Sequence, residues 1–205
     1  MHYLTTKILE QNARSVKYVK TYRLRNAAGI IKEINKQIDR DFGLAGPLTL
    51  STSSPDIHAV RWATARESYV VETHIKRVTK EIVAATISQI NKCPYCEDVH
   101  SMSILSAGGS TTAEAIANGN WQLLKNNKLK EIIRWSLNTR NPKADIIKIP
   151  PFSYLEAPEI IGTALNFHST NRLASIFLEA SPMPAFLSNR LIKKNSADNC
   201  IKNYI

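Results

Sequence analysis

Apolar residues recur at intervals of three and four positions along most of this chain, and segments of strict apolar/polar alternation are missing. The first pattern places apolar side chains on one face of a helix, whereas alternation is typical of half-buried strands. We therefore predict an all-α fold. With 205 residues, of which 43% are hydrophobic, the chain is long and apolar enough to bury the core of a single domain.

Helix start and stop signals divide the chain into segments. Ser54 before Pro55 is typical of an N-cap followed by a first-turn proline, and Gly108-Gly109 is typical of a helix C-terminus. We predict helices over 3–40 (one or two), 54–73, 78–91, 93–107 and 158–179, further helix within 111–139, a linker over 43–55 and a proline-broken loop over 141–158. As regions of one domain, we expect a basic N-terminal helical extension (1–50), a helical core (54–185) and a loose tail (193–205).

Two of these segments carry apolar residues at helical spacing, which predicts the faces that they bury. In the first segment, the expected apolar stripe consists of Ile30, Ile31, Ile34 and Ile38. In the helix that begins after Ser54, we expect burial of Ile57, Val60, Ala63, Ala65 and Tyr69.

Composition excludes several classes of protein. Three cysteines are too few for a disulfide-stabilised secreted scaffold, and no stretch approaches the 18 apolar residues of a membrane span. The first twenty residues contain no uninterrupted apolar segment of the signal-peptide kind. We therefore expect a cytoplasmic protein that does not bind membranes.

The formal net charge of +10 raises an alternative from another class, a module that binds nucleic acid or anionic lipid. Residues 3–40 hold nine Lys or Arg against three acidic residues, so much of the excess lies there. These charges are dispersed and no nucleic-acid-binding motif accompanies them. A solvated helical face or an oligomer contact is the favoured interpretation, with no specific nucleic acid as partner.

The segment from Lys92 to His100 points to a chemistry. Cys93 and Cys96 are three residues apart, and His100 follows four residues after the second cysteine. At about 100° per residue, the three side chains share an arc of roughly 60° on a helix. The cysteines also lie at the predicted helix start, where free N–H groups and the helix dipole favour a thiolate.

A reactive thiol here needs help beyond the helix terminus. Lowering a thiol pKa by about 2 units takes about 2.7 kcal/mol, whereas a helix end supplies about 0.3 to 2 kcal/mol. His100 is the natural source of the remainder, as a base or as an imidazolium partner. If helices 78–91 and 93–107 form an antiparallel hairpin that turns near Asn91-Lys92, Glu81 could reach His100 directly or through one water.

These residues resemble the signature of the AhpD-like alkylhydroperoxidase branch of the carboxymuconolactone decarboxylase-like proteins. That signature is a glutamate, a CxxC motif that begins twelve residues later, and a histidine four residues after the second cysteine. The resemblance covers residues 54–109 well and residues 158–184 more weakly, while 1–40 and 110–156 have no clear counterpart. The matching residues are Glu81, Cys93, Cys96 and His100.

The resemblance implies an all-helical homo-oligomer, a trimer or hexamer, with a thiol peroxidase cycle and no cofactor or metal. Cys96 would attack the peroxide O–O bond and become a sulfenic acid, and Cys93 would resolve it as a disulfide. Glu81 and His100 would relay the proton, and an external dithiol, such as a lipoyl-type reductant, would reduce the disulfide. In other proteins with a CxxC at a helix start the first cysteine attacks, which would exchange the two roles.

Departures and alternatives remain beside this interpretation. The founding enzyme of the branch has a second histidine between its cysteines, where this chain has Tyr95, so one possible proton carrier is missing. A general thiol–disulfide oxidoreductase is one alternative. A zinc site formed by Cys93, Cys96 and His100 is another, although a structural site needs a fourth ligand, which His168 or Cys200 would have to supply. We favour a hydrogen-bonded structural role for His168.

Overall fold

The computed structural model describes residues 16–43, 46–107 and 109–178, and its regular elements within those ranges are all helical. The predicted all-α fold class is therefore confirmed. None of the helices in these ranges is long and apolar enough to cross a membrane. The helices are α1 (Gly29–Asp41), α2 (Gly46–Thr49), α3 (Pro55–Ala65), α4 (Arg77–Ile90), α5 (Pro94–Ser106), α6 (Ser110–Ala117), α7 (Asn127–Asn138), α8 (Asp145–Lys148) and α9 (Ala157–Phe177); a π-helical turn (Arg66–Val70) continues α3, and a 3-10 turn (Trp121–Leu123) precedes α7.

An antiparallel hairpin of α4 and α5 lies at the centre of the fold. The nine consecutive residues 80–88 of α4 are all buried, because α5, α7, α9 and the π-helical turn pack around this helix. Its two buried hydroxyls are satisfied within the helix, since Thr86 donates to the Ile82 carbonyl (2.8 Å) and Ser88 to the Ala84 carbonyl (2.7 Å). A helix that is apolar on nearly every side is stable only in such an interior position.

The turn that joins α4 to α5 is tight. Lys92 adopts a left-handed conformation with φ of 54°, and the Cys93 N–H donates to the Ser88 carbonyl (3.0 Å), which satisfies the end of α4. Pro94 then opens α5 at a first-turn position, where its missing N–H costs nothing. The turn near Asn91-Lys92 is the predicted one, and it sets which residues of the two helices face each other.

The predicted buried face of the helix after Ser54 is partly wrong. Ala65 and Tyr69 are buried, but Ile57 and Val60 are 56% and 66% exposed, and Ala63 is also exposed. The helix turns a different face inward, because His58 and Trp62 on that face find hydrogen-bond partners. Those contacts join His58 to Ser51 and Asn35, and Trp62 to Gln37.

The same helix ends differently from the prediction. The sequence predicts a helix up to about residue 73, but α3 stops at Ala65 and the chain widens into the π-helical turn up to Val70. Helix α9 comes so close to this turn that a Cβ atom at Gly162 would lie 2.8 Å from the Ser68 Cβ. Thr163 also donates to the Ser68 carbonyl (2.9 Å). This contact fixes the backbone beside Tyr69, whose ring packs edge-on against Phe167 at 4.8 Å.

The N-terminal part differs from the predicted long helices. Residues 16–28 contain no helix, and α1 covers only 29–41. Ile31, Ile34 and Ile38 are buried as expected, whereas Ile30 is exposed. The predicted linker 43–55 contains α2 and buried residues. The tail 193–205 and residues 1–15 lie outside the described residues.

Residues 111–178 follow the predicted pattern closely. Segment 111–139 is interrupted near Gly119 and Asn126, where Asn126 caps α7 by accepting from the Leu129 N–H (3.0 Å). The proline-broken loop contains the short helix α8. The last predicted helix, 158–179, corresponds to α9.

Candidate active site

The two cysteines of the CxxC motif lie side by side at the start of α5. Cys93 occupies the N-cap position and Cys96 lies in the first turn. Their sulfur atoms are 2.8 Å apart, and the residues are only 1% and 2% exposed. The spacing and the helix start therefore bring two reduced thiols into contact in a nearly dry environment.

The two thiols differ in acidity. The hydrogen bond between the two sulfur atoms lowers the pKa of Cys93, although burial opposes this effect. Burial raises the pKa of Cys96 well above its usual value, and the hydrogen bond to Cys93 acts in the same direction. These opposite shifts favour Cys93 as the first of the two thiols to lose its proton.

Glu81 and His100 form a buried pair across the α4–α5 hairpin. The Glu81 Oε2 atom lies 2.8 Å from the His100 Nδ1 atom, and both residues are 3% exposed. The contact that the sequence left open as direct or water-bridged is direct. A carboxylate can only accept, so Nδ1 carries the hydrogen and Nε2 is left as the basic nitrogen.

The charge of Glu81 is kept despite its burial. Burial alone would raise the pKa of this carboxyl group, but contacts with His100, Arg77 and Tyr69 outweigh it and lower the pKa. The side chain is therefore an anion at neutral pH, which is the state that can orient an imidazole ring.

Two residues of this cluster were missed in the sequence. The Tyr69 hydroxyl lies 3.1 Å from the same Nδ1 atom of His100, and Arg77 Nε donates to the Glu81 Oε1 atom at 2.8 Å. The guanidinium of Arg77 also stacks over the rings of Tyr69 (4.3 Å) and Phe42 (5.3 Å). The i,i+4 spacing of Arg77 and Glu81 is a signal that could have revealed the first contact. Nothing local could have placed Tyr69, because the π-helical turn decides its direction.

A cleft opens onto Cys96 and His100. Its empty space, counting the open mouth, is about 480 Å³. Most of its lining is aromatic or aliphatic, and Asn166, Thr170 and Tyr95 add polar atoms. The apolar lining consists of Phe42, Pro47, Leu48, Trp62, Ala65, Val70, Val99 and Phe167. Such a lining suits an organic molecule that presents one reactive polar group to Cys96.

Tyr95, which replaces the second histidine of the family pattern, is held in a structural contact. Its hydroxyl oxygen accepts from the Gly46 N–H at 3.3 Å. Burial raises the pKa of this phenol strongly, so it keeps its proton at any physiological pH. Tyr95 shapes the cleft and does not replace the missing proton carrier.

His168, the other histidine considered in the sequence, stands apart from the Glu81–His100 pair. Its Nδ1 atom contacts the Asn91 amide (3.1 Å) and its Nε2 atom the Thr139 hydroxyl (2.9 Å). These contacts are those of a hydrogen-bonded structural histidine.

The zinc alternative lacks a set of ligands in the described part of the chain. Across residues 16–43, 46–107 and 109–178, no three or more His, Cys, Asp or Glu side chains converge as a metal site requires. Cys200 lies outside these ranges.

Comparisons with known proteins identify similar sequences and a similar fold. Residues 56–122 match the family model of the carboxymuconolactone decarboxylase family. An alkyl hydroperoxide reductase of Mycobacterium tuberculosis is 30% identical over 170 residues, which cover 82% of this chain and 48% of that protein. The chain thus spans about half the length of this curated relative.

A solved structure shares the fold. It is that of an uncharacterized peroxidase-related protein from Ralstonia eutropha JMP134, described as an alkylhydroperoxidase AhpD core. The TM-score is 0.66 at 16% sequence identity, over 84% of this chain and 95% of the other. At that identity the likeness concerns the helical fold alone.

Proposed function

Because this chain is an AhpD-like member of the carboxymuconolactone decarboxylase family, we propose that it is a thiol-dependent peroxidase. It reduces hydroperoxides through a dithiol–disulfide cycle of Cys93 and Cys96. The observation that carries this proposal is the convergence of Cys96 and His100 on one cleft, with Glu81 behind the imidazole and Cys93 beside the thiol.

The cycle has two steps at the protein. The Cys96 thiolate attacks one oxygen of the hydroperoxide, so an S–O bond forms, the O–O bond breaks, and the alkoxide takes up a proton to leave as an alcohol. Cys93 then attacks the sulfenic sulfur, which releases water and forms the Cys93–Cys96 disulfide. Two thiols and one hydroperoxide thus become one disulfide, one alcohol and one water, and an external dithiol of the lipoyl type restores the thiols.

His100 and Glu81 move the proton. The basic Nε2 atom of His100 accepts the thiol proton and later delivers it to the leaving alkoxide. Glu81 holds Nδ1 and stabilises the imidazolium that forms between these events. A proton carrier is needed because burial raises the pKa of Cys96, so the helix terminus alone does not supply its thiolate.

Access and acidity favour different cysteines as the attacking one. Cys93 has the lowered pKa, but Cys96 lines the cleft. We assign the attack to Cys96, because a peroxide must reach the sulfur, whereas a proton can pass between two sulfur atoms 2.8 Å apart or move to His100. The acidic Cys93 then suits the resolving step.

The cleft supports an organic hydroperoxide as the preferred substrate, since its lining is largely aromatic and aliphatic.

Self-association into a trimer or hexamer is supported by apolar side chains that remain exposed on α3 and α9. These are Ile57, Val60, Ile161 and Leu165.

A general thiol–disulfide oxidoreductase is the second candidate, favoured by the lowered pKa of Cys93. The two functions separate in one assay, which follows cumene hydroperoxide consumption with dithiothreitol as the reductant. A peroxidase consumes hydroperoxide far above the rate without protein, and Cys96→Ser abolishes this. If Cys96→Ser and Cys93→Ser both kept the wild-type rate, the peroxidase proposal would be wrong. Fast reduction of a protein disulfide without hydroperoxide turnover would favour the second candidate.

A further inference from the structure

We propose that Arg77 is a positioning residue for the proton relay. It holds the Glu81 carboxylate in the orientation that fixes the His100 ring with its hydrogen on Nδ1 and its lone pair on Nε2. This inference rests on the proposed peroxidase function for its purpose, but the geometry on which it depends is independent of the substrate.

The two oxygens of the Glu81 carboxylate have separate partners. Arg77 Nε donates to Oε1 at 2.8 Å, and His100 Nδ1 donates to Oε2 at 2.8 Å. A carboxylate held at both oxygens cannot rotate without breaking a charge-assisted hydrogen bond. The orientation of Glu81 is therefore set by Arg77 as much as by the histidine that it serves.

Arg77 is itself fixed. Its guanidinium stacks over the Tyr69 ring at 4.3 Å and the Phe42 ring at 5.3 Å, and its side chain is 24% exposed. A planar cation held on two aromatic faces loses little further freedom when it binds a carboxylate. This packing distinguishes Arg77 from a mobile surface arginine in an i,i+4 pair.

Glu81 needs a fixed orientation because a second hydrogen-bonding group lies beside the same ring nitrogen of His100. The Tyr69 hydroxyl is 3.1 Å from the same Nδ1 atom that Glu81 contacts, and burial keeps the pKa of Tyr69 well above its usual value, so the hydroxyl retains its hydrogen. If Glu81 turned away or took up a proton, Tyr69 could donate to Nδ1 instead. The ring hydrogen would then move to Nε2, and His100 could no longer accept a proton from a thiol.

The charges around the ring support this assignment. Glu81 contacts it from α4, with Arg77 behind that carboxylate, and Tyr69 contacts it from the π-helical turn. Cys96 of the same helix lines the same cleft, and α9 presents the uncharged ring of Phe167 at 4.4 Å. The neighbouring cation, Lys80, is turned away to Glu159. Arg77 therefore places a cation beside the buried Glu81 charge, and, after His100, it helps to lower the pKa of that carboxyl group.

The test compares Arg77→Gln with wild type and with a matched variant, Lys76→Gln. Lys76 is the adjacent residue, and it pairs with Glu72 at an 81% exposed position, so its loss removes the same charge without touching Glu81. The readouts are the ¹⁵N spectrum of His100, which distinguishes the two ring tautomers, and the pH profile of thiol oxidation by cumene hydroperoxide.

We expect wild type and Lys76→Gln to show the Nδ1–H form of His100 and the same acid limb of the rate profile. In Arg77→Gln, part of the population should change to the Nε2–H form, and the acid limb should move up by about 1 pH unit, as expected when a carboxylate loses a cation at this distance. Arg77→Lys should restore the limb, and adding Tyr69→Phe to Arg77→Gln should restore the Nδ1–H form by removing the competitor.

An unchanged tautomer and acid limb in Arg77→Gln would overturn the inference. If Arg77→Gln does not fold, the ¹⁵N spectrum of wild type still tests the proposal, because an Nε2–H form of its His100 would contradict it. Failure of the proposed peroxidase function would give a different result. The ¹⁵N spectra of His100 would still change as expected, but neither wild type nor any variant would consume hydroperoxide.

Discussion

His100 and His58 are both buried and both hydrogen-bonded at the ring, yet their surroundings suit opposite tasks. His58 has neutral partners, with Nδ1 at 3.2 Å from the Ser51 hydroxyl and Nε2 at 3.0 Å from the Asn35 amide oxygen. Burial, assisted by the nearby charge of Arg61, lowers the pKa of His58 to about 4. This ring therefore stays neutral at physiological pH and joins α1 to α3.

His100 has a carboxylate at Nδ1 where His58 has a hydroxyl, and it lines a cleft that Cys96 also lines. An anion stabilises the protonated ring, which a neutral amide does not. The comparison teaches that burial and hydrogen bonding alone do not identify a proton carrier. The charge of the partner and access to a reactive atom distinguish the candidate catalytic histidine from the structural one.

The largest expected effect is on the rate of thiol oxidation, which should depend on His100 and not on His58. His100→Gln should slow oxidation of the thiols by cumene hydroperoxide roughly 10²- to 10⁴-fold, the usual contribution of a general acid–base group. Stopped-flow measurement of thiol loss checks this. His58→Gln is the matched control and should keep the wild-type rate per folded molecule; equal slowing by both substitutions would contradict the distinction.

Substitution of His58 should instead lower the stability of the fold. His58→Ala should lower the free energy of unfolding by about 2 to 3 kcal/mol, because the buried Ser51 and Asn35 groups lose their partners. Urea denaturation followed by circular dichroism measures this. A stability equal to wild type would show that the His58 network does not join the two helices.

The carboxylate is the feature that sets His100 apart, so neutralising it sharpens the comparison. Glu81→Gln should slow thiol oxidation roughly 10- to 100-fold, as for other carboxylates that orient a functional histidine, while leaving the helical content intact. Glu33→Gln, at an exposed residue of α1, is the control. A wild-type rate in Glu81→Gln would remove this residue from the relay.

The smallest effect concerns pH. An unfolded histidine has a pKa near 6.5, whereas His58 in the folded protein has one of about 4. The unfolded state therefore binds the proton first, so stability is complete above pH 6.5, falls towards pH 4 and levels off below it. We expect a loss of about 1 kcal/mol between pH 6.5 and 5.5 from this group. Urea titrations of His58→Gln at several pH values should show a smaller change of the unfolding free energy with pH. An unchanged pH dependence would mean that other groups cause it.

Much of the candidate site follows from sequence spacing. Three and four residues along a helix fix the shared face of Cys93, Cys96 and His100, and the short turn before Pro94 sets Glu81 opposite the imidazole. Local rules suffice there because the helices are regular and the turn has few solutions.

Other features depend on contacts distant in the sequence. Helix α3 offers two possible apolar faces, and the partners of His58 and Trp62 select the one that includes a histidine. Tyr69 reaches His100 from a π-helical turn that packs against Gly162 of α9. The apolar periodicity of this segment predicts neither the buried face of α3 nor the contact of Tyr69.

Thiol titration after exposure to one equivalent of cumene hydroperoxide tests the central claim most directly. The chain has three cysteines, so the peroxidase cycle predicts that two free thiols disappear per chain, that one remains, and that dithiothreitol restores all three. Retention of three free thiols, or loss of thiols that dithiothreitol does not reverse, would contradict a dithiol–disulfide cycle at Cys93 and Cys96.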